Sequence, residues 1–105
     1  MKTSELTGAA LDWAVAKAEG QPDEWMLDHK RGYINSPSTD WAQGGPIIER
    51  EGIMLEQWKT TKHWQAANEL VTIVINGPTP LIAAMRCYVA SKLGDEIELP
   101  KELTQ

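Results

Sequence analysis

The chain has no phenylalanine, one cysteine and only two histidines in 105 residues. Each scarcity excludes something. A lone cysteine, Cys87, cannot form an internal disulfide. His29 and His63 have no cysteine near them, so the ligand set of a zinc site is missing, and neither a metal nor a cofactor is expected. Cationic charge is scarce as well. Ten Lys and Arg face fifteen Asp and Glu, a net charge of −5. Phosphate contacts along a duplex need a basic stripe, and none is visible, so direct duplex DNA binding is not expected. No stretch approaches the length and apolarity of a membrane span. No apolar segment of the kind that drives secretion follows Met1-Lys2-Thr3-Ser4-Glu5. The expected setting is a reducing cytosol. Internal repeats and low-complexity segments are missing too.

What remains is the composition of an ordinary globular protein, 42% hydrophobic and 24% charged. The length predicts one domain, residues 1–105. Five tryptophans are many for one small core. An exposed aromatic patch would suit an interface, including self-association. The charge is uneven. Residues 95–105 hold Asp95, Glu96, Glu98 and Glu102 against Lys101 alone. A solvated acidic tail aids solubility. It is too short to imitate a phosphate lattice, which weighs against a DNA mimic.

The clearest element runs from Gly77 to Gly94. Thr79 is placed to cap a helix with its hydroxyl. Pro80 follows at the first helical position, where a missing N–H costs nothing, and Gly94 is placed to end it. At 100° per residue this helix is apolar nearly all round, so it is expected to be buried between two layers. Leu81, Ile82, Met85, Tyr88, Val89 and Leu93 form a face of large side chains, predicted to pack on a sheet or loop layer. Ala83, Ala84, Cys87, Ala90 and Ser91 form a face of small ones, predicted to let a second helix approach closely. Cys87 on that face reads as a structural thiol.

Residues 3–19 read as that second helix, capped by Thr3 or Thr7 and rich in alanine. Trp13 belongs to its core side, and Asp12 and Glu19 to a narrow polar edge. Trp25-Met26-Leu27 and Tyr33-Ile34, around Gly32, suit a short hairpin. Asp40 and Gln43 resemble a capping box. Gly44-Gly45 then stops that turn, and Pro46 starts a short helix at 46–51 ended by Gly52. Trp41 anchors this loop, by burial if its role is structural. Residues 53–58 and 63–67 read as a hairpin with Trp58 facing Trp64, with a helix over 63–71 as the alternative. Val71–Ile75 is β-branched and reads as a strand. Residues 96–99 alternate and read as an edge strand. The predicted fold is α+β, with two longer helices (about 3–19 and 79–93), a short helix at 46–51 and a small antiparallel sheet.

Three blocks are distinctive together. They are Lys2–Lys17 (KTSELTGAALDWAVAK), Ser36–Glu49 (SPSTDWAQGGPIIE) and Gly77–Lys92 (GPTPLIAAMRCYVASK). In these the chain closely resembles the NinX family of lambdoid phages and related prophages. The resemblance implies an early accessory phage protein acting in the host cytoplasm. It supplies no reaction and no catalytic residue.

Two functional readings follow. The first is a non-catalytic interaction module for a host or phage protein. It rests on the small size, the phage setting, the acidic balance and the lack of any nucleophile or acid–base constellation. The second is a small ligand-binding domain or enzyme. Its pocket would lie between the Asp40–Pro46 loop and the start of the 79–93 helix. Asp40, Trp41, Gly44, Gly45, Thr79 and Arg86 are the candidate binding residues, with Glu49, His63 and Tyr88 as further polar groups. Arg86, a charge on an apolar helix, must reach water or a carboxylate. Asp40 or Glu49 is the expected partner.

Overall fold

The computed structural model describes residues 1–20 and 36–99. The hairpin expected at residues 25–34, His29 and the end of the acidic tail lie outside these. Among the described residues the order is a one-turn 3₁₀ helix (Thr3–Glu5), α1 (Gly8–Ala18), α2 (Trp41–Glu51), β1 (Met54–Gln57), β2 (Trp64–Ala67), β3 (Val74–Gly77) and α3 (Pro80–Leu93). This is the α+β arrangement read from the sequence.

Helix α3 is the axis of the molecule, packed against α1, α2 and all three strands. Its local signals act as expected. The Thr79 hydroxyl accepts from the Ile82 N–H at 3.1 Å, and Pro80 opens the helix. Gly94 does have a positive φ, 94°, but its ψ of −173° is not left-handed helical; it turns the chain in a conformation open mainly to glycine. Every residue from Ala83 to Ala90 is buried. The two faces are not divided between layers as side-chain size predicts. Ala83, from the small face, lies against Gly77 of β3, so closely that a Cβ on Gly77 would stand 2.6 Å from the Ala83 nitrogen. Leu81 and Tyr88, from the large face, meet α2 instead. Packing around α3 follows the route of the chain, which residue volumes alone do not encode.

The sheet is an antiparallel meander in the order β1–β2–β3. Leu55 pairs with Ala66 and Ala66 with Ile75. Since side chains alternate across a strand, this row shares one face. Fully buried Ala66 marks it as the face against α3. The neighbouring row, Met54–Ala67–Val74, takes the opposite face. Trp64 pairs with Gln57, not with Trp58. Trp58 stacks on His63 instead, with ring centroids 5.4 Å apart. The alternative helix over 63–71 does not form.

Four further expectations need correction. The first helix breaks in two. Leu6 and Thr7 are extended, because buried Thr3 is held elsewhere: its N–H donates to the Asp95 carbonyl and its hydroxyl to the Gly94 carbonyl, both at 2.7 Å. The diglycine does not stop a turn, since α2 runs unbroken through Gly44, Gly45 and Pro46. The third strand begins later than Val71. Asn68 organises a turn by accepting from the Ile73 N–H and donating to the Thr72 hydroxyl, both at 2.8 Å. Val71 sits in that turn at φ 55°, a left-handed conformation costing a β-branched residue about 1–3 kcal/mol. Residues 96–99 form no strand; Glu96 makes an isolated bridge to Lys2.

Candidate functional site

Asp40 begins at the N-terminus of α2, where four backbone N–H groups lack helical partners. Its Oδ1 accepts from the Ala42 N–H and its Oδ2 from the Gln43 side-chain amide, both at 2.9 Å. Gln43 in turn accepts from the Ser36 N–H at 2.6 Å. The reciprocal capping box expected of Asp40 and Gln43 does not close: the Asp40 N–H donates to the Ser36 carbonyl, and the two side chains form a direct pair. That pair ties the Ser36–Thr39 turn to the helix as well as capping it. Gly44 donates its N–H to the Asp40 carbonyl inside the helix, and Gly45 lies one residue further along it. Neither amide faces the expected loop pocket. Gly44 is required by close approach: a Cβ there would be 2.5 Å from both the Leu81 side chain and the Pro37 carbonyl oxygen.

Trp41 is 54% exposed, so burial does not anchor this segment. A groove of about 250 Å³ does lie beside it, between α2 and the start of α3, with Ser38, Thr39, Thr79 and Ile82 along its walls. Of the six candidate residues, Trp41 and Thr79 come together here. Asp40, Gly44, Gly45 and Arg86 do not line this groove.

Arg86 lies elsewhere and has partners of another kind. It is 9% exposed. Its Nε donates to the Leu6 carbonyl and its Nη1 to the Asn76 carbonyl, each at 2.8 Å. Neither Asp40 nor Glu49 pairs with it. Burial pulls its pKa down, with Glu5 acting in the opposite sense. The guanidinium fork thus joins the extended break before α1 to the last strand of the sheet, two backbone points ten and eighty residues away in the chain.

Three groups not foreseen as a set meet where α1, α2 and α3 converge. Arg50 donates from both terminal nitrogens to Glu19, at 3.2 and 2.9 Å. It also donates to Glu51 through Nε at 2.9 Å. The Tyr88 hydroxyl donates to Glu19 at 2.7 Å, and Arg50 lies over the Tyr88 ring at 5.6 Å. Burial, then the hydrogen bond to Glu19, push the Tyr88 pKa up to about 12. Arg50, helped by Lys92, holds Glu51 below the usual carboxylate range. The Arg50 side chain is half exposed, so each ion pair contributes under about 1 kcal/mol. This cluster pins three helices together.

Asp12, read as part of a polar edge, is buried. Its Oδ1 accepts from the Ser38 N–H at 2.9 Å and so fastens the Ser36–Thr39 turn to α1. Burial raises its pKa, and Ser38 counters the rise. No sequence signal marked this; the unbroken buried run from residue 11 to 16 exists only in the folded structure. Cys87 is fully buried, and that burial pushes its pKa up to about 11. It is a structural thiol, as its position suggested. Among the described residues no three His, Cys, Asp or Glu side chains are grouped to hold a metal ion. Nor is any described helix long and apolar enough to cross a membrane.

A family model described as "Bacteriophage P22, NinX" matches residues 2–92. No curated protein matches the chain.

Proposed function

The chain belongs to the NinX family of phage proteins, and from this premise we propose a non-catalytic accessory module that binds a host or phage protein in the cytoplasm of the infected cell. One observation carries the reading. The Met54–Ala67–Val74 row faces away from α3, with Met54 48% and Val74 51% exposed. Leu70 and Val71 extend it at the β2–β3 turn, both exposed. Water-facing methionine and valine on a sheet of four-residue strands contribute little to the fold. Contiguous apolar surface of this kind is what protein interfaces cover.

The test is affinity capture of the tagged protein from phage-infected cells, beside a Met54→Asp/Val74→Asp variant. The reading expects a stoichiometric partner with the wild type and its loss with the variant. A partner retained equally by both, or none recovered under mild conditions, overturns it.

A second reading is favoured by the groove between Trp41 and Thr79. There the module would carry a small molecule instead of a protein. A fixed small-molecule mass on the purified protein in native mass spectrometry, lost in Trp41→Ala, would establish it.

A further inference from the structure

A different part of the molecule combines a buried cation with an exposed tryptophan and a half-buried histidine ring. An open cleft of about 510 Å³ lies between the 3₁₀ turn, the start of β2 and the β3–α3 turn. Ser4, His63, Asn76, Pro78 and Arg86 line it. The Arg86 fork is held rigid from behind by the Leu6 and Asn76 carbonyls. Its remaining terminal nitrogen, Nη2, donates to no acceptor among the described residues, and it is not sealed from solvent. A guanidinium anchored in this way is pre-organised to donate to an oxyanion.

The surroundings have the matching sign. No carboxylate is among the described residues lining the cleft. Glu5 acts on the guanidinium from the 3₁₀ turn without lining the cleft. In a chain of net charge −5, this is a local exception. His63 continues the wall as an aromatic ring and stacks on Trp58, which is 44% exposed. Lys59 and Lys62 flank the pair on the same hairpin turn, both exposed. The larger cleft beside Lys2 and Thr3 differs on both counts, since it contains Asp95 and Glu96 and no aromatic ring.

We propose that the Arg86 cleft and the Trp58–His63 pair bind a nucleoside phosphate, with the phosphate on Arg86 and the base stacked on the aromatic pair. The same chemistry is offered by a free nucleotide and by a nucleotide within a single strand. A duplex is excluded, because its bases are already stacked on one another. Rings with a neighbouring cation are how proteins hold single nucleotides without reading sequence, and each stacked base is worth about 1–3 kcal/mol.

Two titrations test this with the full chain. One follows the anisotropy of a fluorescein-labelled twelve-residue oligothymidylate in low salt. The other follows tryptophan indole and backbone amide signals by NMR as thymidine monophosphate is added. The readout variants are Trp58→Ala and His63→Ala, since Arg86 also supports the fold. The expected result is saturable binding weakened by about 5-fold to 150-fold in Trp58→Ala, the range that one stacked base contributes, and weakened also in His63→Ala. Saturable shifts with the monophosphate identify a free nucleotide as the ligand. Binding confined to the oligonucleotide identifies a single strand. No binding of either at millimolar concentration, or binding that both variants leave unchanged, overturns the proposal.

Discussion

Replacing Arg86 with alanine should cost this domain a large part of its stability, and the amount can be worked from two contacts. Arg86 is buried, and its two hydrogen bonds to backbone carbonyls measure 2.8 Å each. A hydrogen bond to a charged group contributes about 1.5–3 kcal/mol net. Two such bonds set a loss of about 3–6 kcal/mol, before any term for the space left behind. A domain of this size has about 5–15 kcal/mol in total. At about 4–8 °C per kcal/mol, Tm should fall by at least about 12 °C. Arg86→Lys keeps the charge but not the fork, so it should recover only part of the loss. Urea unfolding followed by tryptophan fluorescence gives the free energies, provided the m-value is unchanged. Glu49→Gln is the contrasting control. A salt bridge between Arg86 and Glu49 would make the two variants lose stability together. The observed contacts predict an effect within about 0.5 kcal/mol for Glu49→Gln, as for an ordinary surface change. A loss below about 1 kcal/mol in Arg86→Ala would refute the assignment of Arg86 as the link between the α1 entry and β3.

The diglycine in α2 predicts opposite outcomes for adjacent residues. Gly44→Ala should destabilise by about 1–3 kcal/mol, because the Pro37 carbonyl oxygen is backbone and cannot easily yield. Gly45→Ala, with no heavy atom within 4 Å of its Cβ, should stabilise by about 0.5–1 kcal/mol, and thermal melts of the two variants compare them directly. Asp12 predicts a pH dependence. Its folded pKa is raised above the ordinary value of 3.8 by burial, so the folded state holds its proton more tightly. Its contribution is most favourable below that value and is lost as pH rises through the folded pKa. Asp12→Asn keeps an acceptor for the Ser38 N–H and removes the titration. Its stability relative to the wild type should therefore increase between pH 4 and pH 7 in urea unfolding; a constant difference would contradict the assignment. Cys87, with its pKa pushed up to about 11, should react with a thiol reagent at pH 8 only as fast as the domain opens. Saturating urea should release the reaction.

Much of the fold was legible because its signals are local. Thr79, Pro80 and the all-round apolar pattern specify α3 within a few residues of themselves. Asp40 marks the start of α2 through a side chain that bonds two and three residues ahead. The β1–β2 hairpin follows from two apolar runs around a polar turn. The misreadings share a different origin. Gly44-Gly45-Pro46 reads as a break because glycine and proline disfavour a helix interior by about 1 and 3 kcal/mol. The helix persists because Gly44 lets it seat against Leu81 and Pro37, contacts a local pattern does not encode. Val71 and Thr72 read as strand on propensity, yet Asn68 draws them into a turn.

The sequence alone determined the family, the α+β class, the buried central helix and its ends, and the structural character of Cys87. These rest on residue type and spacing along one stretch of chain. Only the tertiary structure decided where Arg86 points, that Asp12 is buried, that Trp41 is not, and that Trp58 meets His63 instead of Trp64. Each of these depends on which distant backbone groups a side chain meets once the chain closes. Arg86 shows the reason most directly. Its charge had to be satisfied, and the carbonyls that do so come from an extended break before α1 and from the edge of the sheet. Neither carries a side-chain signal that a sequence could display.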